Sequence, residues 1–196
     1  MPRKYVAFFV HHGTTEFNEK GLYTGFVDVP LNDQGVLDAE KAAEFLSDQD
    51  IHRVVTSPLC RARRTAEIIA SRHGGRYIEE CHSLFPWLIP MFWGKSKEDF
   101  DEKLEDFIKD SSKRPKFGET LDEFMDRTHA FMEKNLNCEC CTVFVAHTTN
   151  LIAVTDLIDG TEDHEECVAP GGIIGIYETD DGWGYDILLG KITEAE

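Results

Sequence analysis

The chain has 196 residues, of which 41% are hydrophobic and 11% aromatic. That composition can build a hydrophobic core and the length suits one compact domain, so an intrinsically disordered chain is excluded. With 20 basic and 37 acidic residues, the formal net charge is −17, which disfavours binding to nucleic acid or to an anionic membrane surface. An anionic ligand would therefore need a local positive pocket.

The start of the chain and its cysteines indicate the compartment. Residues 5–10 form an apolar run of six, followed by His11 and His12, which is too short and wrongly flanked for a signal peptide. No apolar run approaches the roughly 18 residues of a membrane-spanning helix. We therefore expect a cytoplasmic protein with reduced thiols and no membrane contact.

The cysteines also raise two local questions. Cys138 and Cys141 form a C-x-x-C pair, but a zinc knuckle needs a second ligand pair, so we predict no metal site there. Cys60 precedes Arg61 in a basic stretch, and the nearby positive charges predict a lowered thiol pKa.

The first half of the chain alternates strand and helix patterns. Continuous apolar runs of strand-forming residues predict buried strands, and apolar residues at three- and four-residue steps predict helices. In chain order these elements are a strand at 5–10, a helix at 32–47 with Asn32 as its N-cap, a strand at 52–56, a helix through Ala62, Ala66 and Ile69 that ends before Gly74, and a short strand beginning at Tyr77.

The second half opens with an apolar segment at 84–94. Pro86 and Pro90 exclude a regular helix or a central strand there. The elements that follow are a helix opened by Ser96 that carries Phe100, Leu104, Phe107 and Ile108, a helix from Leu121 to Leu136, a strand at 142–146, a helical stretch through Leu157, and two strands within 171–189 joined around residues 180–182.

This order of elements predicts the fold class. Strands that alternate with helices indicate an α/β fold, here a three-layer sandwich with a mainly parallel central sheet and helices on both faces. We expect a single domain over residues 1–196, with an unusual apolar loop at about 84–95.

Three of the predicted strands lead into side chains that bind anions. His11 and His12 follow the first strand, Arg61 follows the second, and His147 follows the strand at 142–146. One such histidine alone would be an incidental loop residue. Because ligands of parallel sheets bind beyond the carboxyl ends of the strands, the three ends together predict one shared pocket.

Longer blocks of sequence surround these residues. They are HGTTEFN at 12–18, YTGFVDVPLNDQG at 23–35, TSPLCRARRTAE at 56–67, GET at 118–120 and VFVAH at 143–147. In order and spacing they resemble the histidine phosphatase superfamily, phosphoglycerate-mutase-like branch. The resemblance covers most of the chain and implies the α/β sandwich of that branch.

The resemblance also implies a chemistry. It implies phosphomonoester hydrolysis, or phosphoryl transfer, through a phosphohistidine on His12, with Arg61 holding the phosphoryl oxygens and His147 donating to the transferring group. The implied ligand is a small phosphorylated molecule, with no cofactor and no metal. Further contacts to the phosphate or the substrate are expected from His11, Asn18, Thr24, Gly25 and Thr148.

Two positions depart from the family pattern. The family has arginine before the nucleophilic histidine, whereas this chain has His11, which has a shorter reach and a pH-dependent charge. An ungapped placement puts Pro86 where the family has its glutamate acid, with Glu79, Glu80 and Asp99 as candidate replacements. Losing a phosphate donor and a general acid together would slow the reaction by roughly 10⁴–10⁷ if the losses were independent. We therefore expect weakened or altered activity.

Two other functions stay open. One is a non-catalytic member that binds a phosphorylated ligand or a protein, in which the apolar segment 84–93 either folds back as core or forms an exposed homodimer or partner surface. The other is repurposed chemistry in the same pocket, such as zinc held by His11, His12 and His147. That site would need a bend after His11, since adjacent strand residues point to opposite faces.

Overall fold

The structure, a computed structural model, describes residues 3–138, 140–160 and 168–192, without the side chains of 97–102. Its centre is a six-stranded sheet in the order β3-β2-β4-β1-β5-β6. The strands are β1 (Ala7–His11), β2 (Arg53–Thr56), β3 (Ile78–Glu80), β4 (Thr142–Ala146), β5 (Val168–Thr179) and β6 (Gly182–Lys191). Strands β1 to β4 pair in parallel, while β5 and β6 add an antiparallel hairpin.

Helices cover both faces of this sheet, which confirms the predicted α/β class. They are α1 (Glu16–Glu19), α2 (Asp33–Leu46), α3 (Cys60–Ser71), α4 (Lys97–Lys109), α5 (Leu121–Leu136) and α6 (Thr148–Asp159). Successive β1 residues alternate between faces: Phe8 packs with residues of α2 and α3, and Phe9 packs with residues of α5 and α6. None of the described helices is long and apolar enough to cross a membrane.

The start of α2 follows its predicted local signal, whereas the capping of α5 was not predicted. The Asn32 side chain accepts a hydrogen bond from the Gly35 N–H at 2.8 Å and so caps α2. Thr120 and Glu123 form a reciprocal capping box at the start of α5. The first strand differs from the prediction, because it begins at Ala7 and continues through His11, which pairs with Ala146 of β4. That register places His11 at the end of the ladder.

The apolar segment 84–93 folds back as core. It contains no long helix or strand, only 3₁₀ turns at His82–Leu84 and Pro90–Phe92, as its prolines predicted. Its buried side chains Trp87, Ile89 and Phe92 pack together with apolar residues of α4 and α5. Of the two interpretations of this segment, the structure favours the core, with Met91 left 40% exposed.

A partly buried ion pair holds this segment on α5. Arg127 donates to Glu119 at 2.7 Å and also to the carbonyl oxygens of Ser83 and Phe85. Glu119 in turn accepts from the Leu88 N–H at 3.0 Å. Because both charged groups also bind the loop backbone, this pair positions the loop beside the carboxyl ends of the strands.

Candidate active site

The carboxyl ends of β1 and β4 and the first turns of α3 and α6 open onto a cavity of about 250 Å³. All eight residues predicted for the site line it: His11, His12, Asn18, Thr24, Gly25, Arg61, His147 and Thr148. The convergence follows from the parallel pairing of β1, β4 and β2, which brings their ends to one edge of the sheet.

The His12 imidazole is held in one tautomer. Its Nδ1 donates to the Gly13 carbonyl oxygen at 2.8 Å, so its Nε2 carries a lone pair, which accepts from Arg61 Nε at 3.1 Å. Burial, followed by the charges of His11 and Arg61, lowers the pKa of His12 well below its ordinary value. At neutral pH this ring is therefore uncharged, with Nε2 available as a nucleophile.

Arg61 is a buried cation, with only 1% of the residue exposed to solvent. Its guanidinium donates to the carbonyl oxygens of Gly25 at 2.7 Å and Val27 at 2.9 Å, and to His12 Nε2 and His147 Nδ1 at 3.1 and 3.3 Å. Burial lowers the pKa of Arg61 to about 10, so it stays protonated at neutral pH. None of these four acceptors is anionic, and a buried cation held only by neutral groups favours an anion beside it.

His147 is the N-cap residue of α6. Its Nε2 donates to Ser57 Oγ at 2.9 Å, and its Nδ1 accepts from the guanidinium of Arg61. Burial and the charge of Arg61 lower the pKa of His147 well below its ordinary value. The ring centroids of His12 and His147 are 5.1 Å apart. The start of α6 carries the positive end of the helix dipole, which adds to the attraction for an anion.

His11 lies on the same side of the sheet edge as His12. Their ring centroids are 4.6 Å apart, and both rings line the cavity. His11 Nε2 lies 3.1 Å from Thr148 Oγ1, and its Nδ1 lies 3.4 Å from the Val168 carbonyl oxygen. The two rings therefore lie on the same side of the chain, as a site that uses both of them requires.

Helix α1, which contains Asn18, and the loop after it supply the remaining predicted contacts. Asn18 accepts from both the N–H and the hydroxyl of Thr15, at 3.0 and 2.7 Å, which fixes its amide at the cavity. Gly25 has φ of +49°, and a Cβ there would lie 2.2 Å from Trp93 Nε1. Only glycine fits this turn, whose carbonyl oxygen receives Arg61.

The cavity differs from the expectation for a general acid. Among the described residues, no aspartate or glutamate lines it, and Pro86 does. Glu79 instead pairs with Arg53 at 2.7 Å, and Glu80 lies 3.5 Å from Arg63. Neither carboxylate reaches the cavity, so the suggestion that either replaces the acid is wrong. The third candidate, the side chain of Asp99, lies outside the described residues.

Two further expectations concern cysteine and metal. Burial, and then the nearby carboxylate of Asp28, raise the pKa of the Cys60 thiol to about 11, so the predicted lowering is wrong. No group of three or more His, Cys, Asp or Glu in the described part of the chain is arranged to hold a metal ion. The lone pairs of His12 and His147 already accept from one guanidinium, which disfavours a second cation between them.

Sequence reasoning missed several residues of the site. Ser57, which holds His147, lies in one of the family-like blocks and directly follows β2, so its position at a strand end was a usable signal. Thr149 accepts from the Trp87 N–H at 3.2 Å and ties the apolar loop to α6. Ile152 lies four residues after Thr148 on the same helix, and that spacing places it on the cavity side.

Comparisons with known proteins bear on this site. The family described as "Histidine phosphatase superfamily (branch 1)" matches residues 7–172. The 2,3-bisphosphoglycerate-dependent phosphoglycerate mutase of Clavibacter michiganensis subsp. michiganensis is 42% identical over 71 residues, 35% of this chain and 28% of the relative. The corresponding mutase of Chlamydia caviae is 38% identical over 69 residues, 35% of this chain and 30% of the relative. The chain thus spans less than a third of the length of these curated relatives.

Solved structures extend the similarity to the whole fold. The mycobacterial glucosyl-3-phosphoglycerate phosphatase complexed with VO3 superposes with a TM-score of 0.81 at 18% identity, covering 96% of this chain and 100% of the other. A phosphoglycerate mutase from Thermus thermophilus gives a TM-score of 0.71 at 24% identity, covering 96% and 99%. At these identities the superpositions establish the shared fold alone.

Proposed function

The chain belongs to the histidine phosphatase superfamily, branch 1, and from that premise we propose that it transfers a phosphoryl group from a phosphomonoester to His12, with hydrolysis as the outcome. The observation that carries the proposal is the pairing of an unprotonated His12 Nε2 with the buried Arg61 guanidinium, 3.1 Å away. The mutases and the phosphatase among the similar proteins support the same class of reaction.

In the first step the Arg61 Nε–H passes from the Nε2 lone pair of His12 to a phosphoryl oxygen, and that lone pair forms a bond to phosphorus. The P–O bond to the alcohol breaks, and its electron pair leaves on the alcohol oxygen. The Nδ1–H of His12, held by the Gly13 carbonyl oxygen, stabilises the positive charge that develops on the ring. Arg61, the start of α6 and the hydroxyl of Thr148 would hold the phosphoryl oxygens.

The leaving oxygen needs a proton, and no carboxylate among the described cavity residues supplies one. A phosphomonoester has a second pKa of about 6, so at pH 7 roughly a tenth of it is the monoanion, which still carries a proton. That proton passes to the alcohol as the P–O bond breaks. In the second step water forms a P–O bond, the N–P bond breaks, the lone pair returns to Nε2, and both water protons leave on dihydrogen phosphate.

One specific observation favours a second function, namely binding of a phosphorylated ligand without turnover. Pro86 lines the cavity where the family resemblance expects an acid, and His11 occupies the position of the family arginine. A site with an intact cation and no carboxylic acid among its described lining residues binds an anion better than it releases an alcohol.

A paired assay separates the two functions. We expect the protein to release phosphate from phenyl phosphate slowly, on the order of 10⁻³ s⁻¹ or less, and His12→Gln to lower the rate by about 10³-fold or more. His52→Gln is the matched control, because the His52 side chain is half exposed, lies 3.6 Å from Asp50, precedes β2 at the end of the strand away from the cavity, and does not line the cavity. Equal rates for the parent and His12→Gln would contradict phosphoryl transfer to His12. Phosphate binding that persists in both would then favour the second function.

A further inference from the structure

The cavity has an apolar side that the phosphoryl chemistry does not use. Leu22 after α1, Leu104 on α4 and Ile152 on α6 line it, together with Trp87 and Ile89 of the apolar loop. Leu22, Leu104 and Ile152 are only half buried, so apolar surface remains open to whatever enters the cavity. Pockets that bind small molecules combine such surface with a few placed polar groups.

This apolar side begins close to the phosphoryl-binding groups. Ile152 follows Thr148 by four residues, so the two side chains lie on one face of α6, with Cβ atoms about 5–6 Å apart. A group esterified to a phosphate held at Thr148 and Arg61 would therefore meet Ile152 directly. At about 250 Å³, the cavity is smaller than the ~300–1,000 Å³ of pockets that hold drug-sized ligands. The esterified group must be small.

The charges of the described cavity residues disfavour a second anionic group on the ligand. Among the lining residues that the structure describes, Arg61 is the one with a permanent charge, and the phosphoryl group uses it. A carboxylate elsewhere on the ligand would lose its hydration beside Leu104 and Ile152 with no cation to replace it. The net charge of −17 adds a further repulsion.

Building on the proposed function, we infer that the ligand is the phosphate ester of a small apolar alcohol or phenol, with the phosphoryl group as its single anionic group. Leu22, Leu104 and Ile152 are the residues that set this preference. The ligand class therefore differs from that of a phosphorylated carboxylic acid.

Binding of three phosphonates tests the inference without any turnover, because their P–C bond is not cleaved by the proposed chemistry. Methylphosphonate, n-butylphosphonate and 3-phosphonopropionate share the anionic head and differ in the attached group. At about fourfold for each buried methylene, we expect n-butylphosphonate to bind at least tenfold more tightly than methylphosphonate by titration calorimetry. We expect 3-phosphonopropionate to bind at least tenfold more weakly than n-butylphosphonate.

Variants assign the preference to the apolar side. Ile152→Arg places a cation there and is expected to remove the advantage of n-butylphosphonate and to strengthen binding of 3-phosphonopropionate. Leu104→Arg serves the same purpose if Ile152→Arg does not fold. Leu37→Arg is the matched control, since Leu37 is 50% exposed on α2 and outside the cavity, and it should leave all three affinities unchanged.

Equal affinities for the methyl and butyl compounds, tightest binding of 3-phosphonopropionate, or no binding of any of the three would overturn the inference. These outcomes are distinct from failure of the proposed function. If the affinities follow the expected order but phenyl phosphate is not hydrolysed, the ligand class stands and phosphoryl transfer to His12 does not.

Discussion

Replacing Arg61 by lysine keeps the positive charge but replaces the planar, forked guanidinium with a single ammonium group. The guanidinium reaches four acceptors in different directions through three nitrogen atoms: two carbonyl oxygens, at residues 25 and 27, and two imidazole nitrogens. A lysine ammonium presents three donors from one atom and cannot span these positions. The Val27 carbonyl oxygen keeps a hydrogen bond from the Val29 N–H. The buried Gly25 carbonyl oxygen is therefore the acceptor that Arg61→Lys leaves without a donor, and the variant also removes the fixed fork beside His12.

The size of both effects follows from these contacts. An unsatisfied buried acceptor costs about 1–3 kcal/mol, so the free energy of unfolding should fall by that amount when the Gly25 carbonyl oxygen loses its donor. Loss of one preorganised donor to the phosphoryl oxygens should lower kcat by about 10²–10³. Unfolding should not account for the loss of activity, because a domain of ordinary stability stays folded when its free energy of unfolding falls by about 1–3 kcal/mol.

The assay combines phenyl phosphate hydrolysis with urea unfolding of the same preparations. Arg63→Lys is the control, because Arg63 lies on the same helix, is half exposed, and pairs with Glu67 and Glu80 only at the surface. Such pairs contribute about 0–1 kcal/mol. If Arg61→Lys hydrolyses phenyl phosphate within threefold of the parent and unfolds at the same urea concentration, the role given to the guanidinium is refuted.

Three more predictions follow from the site. In the proposed step the leaving alcohol takes its proton from the phosphomonoester and no carboxylate among the described cavity residues assists, so phenyl phosphate should react at least ~10-fold faster than ethyl phosphate in steady-state assays; equal rates would count against a missing acid. The pKa values of His12 and His147 are lowered in the folded state, so as the pH falls below about 6.5 the unfolded chain takes up protons before the folded protein does. The contribution of these two rings to the free energy of unfolding is complete above that pH. Below it, the free energy of unfolding should decrease by up to ~1.4 kcal/mol per pH unit for each ring. Urea unfolding at pH 7 and pH 5 measures this, and a His12→Gln slope equal to the parent's would be inconsistent with it. Gly25→Ala should lower the free energy of unfolding by about 2–4 kcal/mol through positive φ and the clash with Trp93, whereas Gly74→Ala, with open space around its Cβ position, should lose only about 1–2 kcal/mol; similar losses would contradict the packing argument.

Much of the fold was predictable because local signals and the global pattern agree. The apolar run before His11 is buried on both sides of the sheet, and the capping residue Asn32 begins α2 where its side chain can accept an N–H. The residues that follow three of the strands lie close together because parallel strands end at the same edge of the sheet. The sequence predicted β5 and β6 as two strands, but it did not predict their full lengths of 12 and 10 residues.

The failures have a common physical origin, since each depends on contacts between distant parts of the chain. The positive neighbours of Cys60 are sequence neighbours, but burial and Asp28, which lies 32 residues earlier, decide the pKa of its thiol. Glu79 is near the site in sequence, yet its register opposite Val55 directs it to Arg53. Tertiary distances of this kind cannot be read from spacing along the chain.

The most direct test of the account is the location of the phosphoryl group during turnover. After rapid quenching at alkaline pH, a digest with trypsin yields a peptide over residues 5–20 that contains both His11 and His12, and fragmentation in the mass spectrometer distinguishes the two rings. We predict one acid-labile phosphoryl group on His12, lost in His12→Gln and present in His52→Gln. A phosphoryl group on His11, or one that persists in His12→Gln, would contradict the central claim.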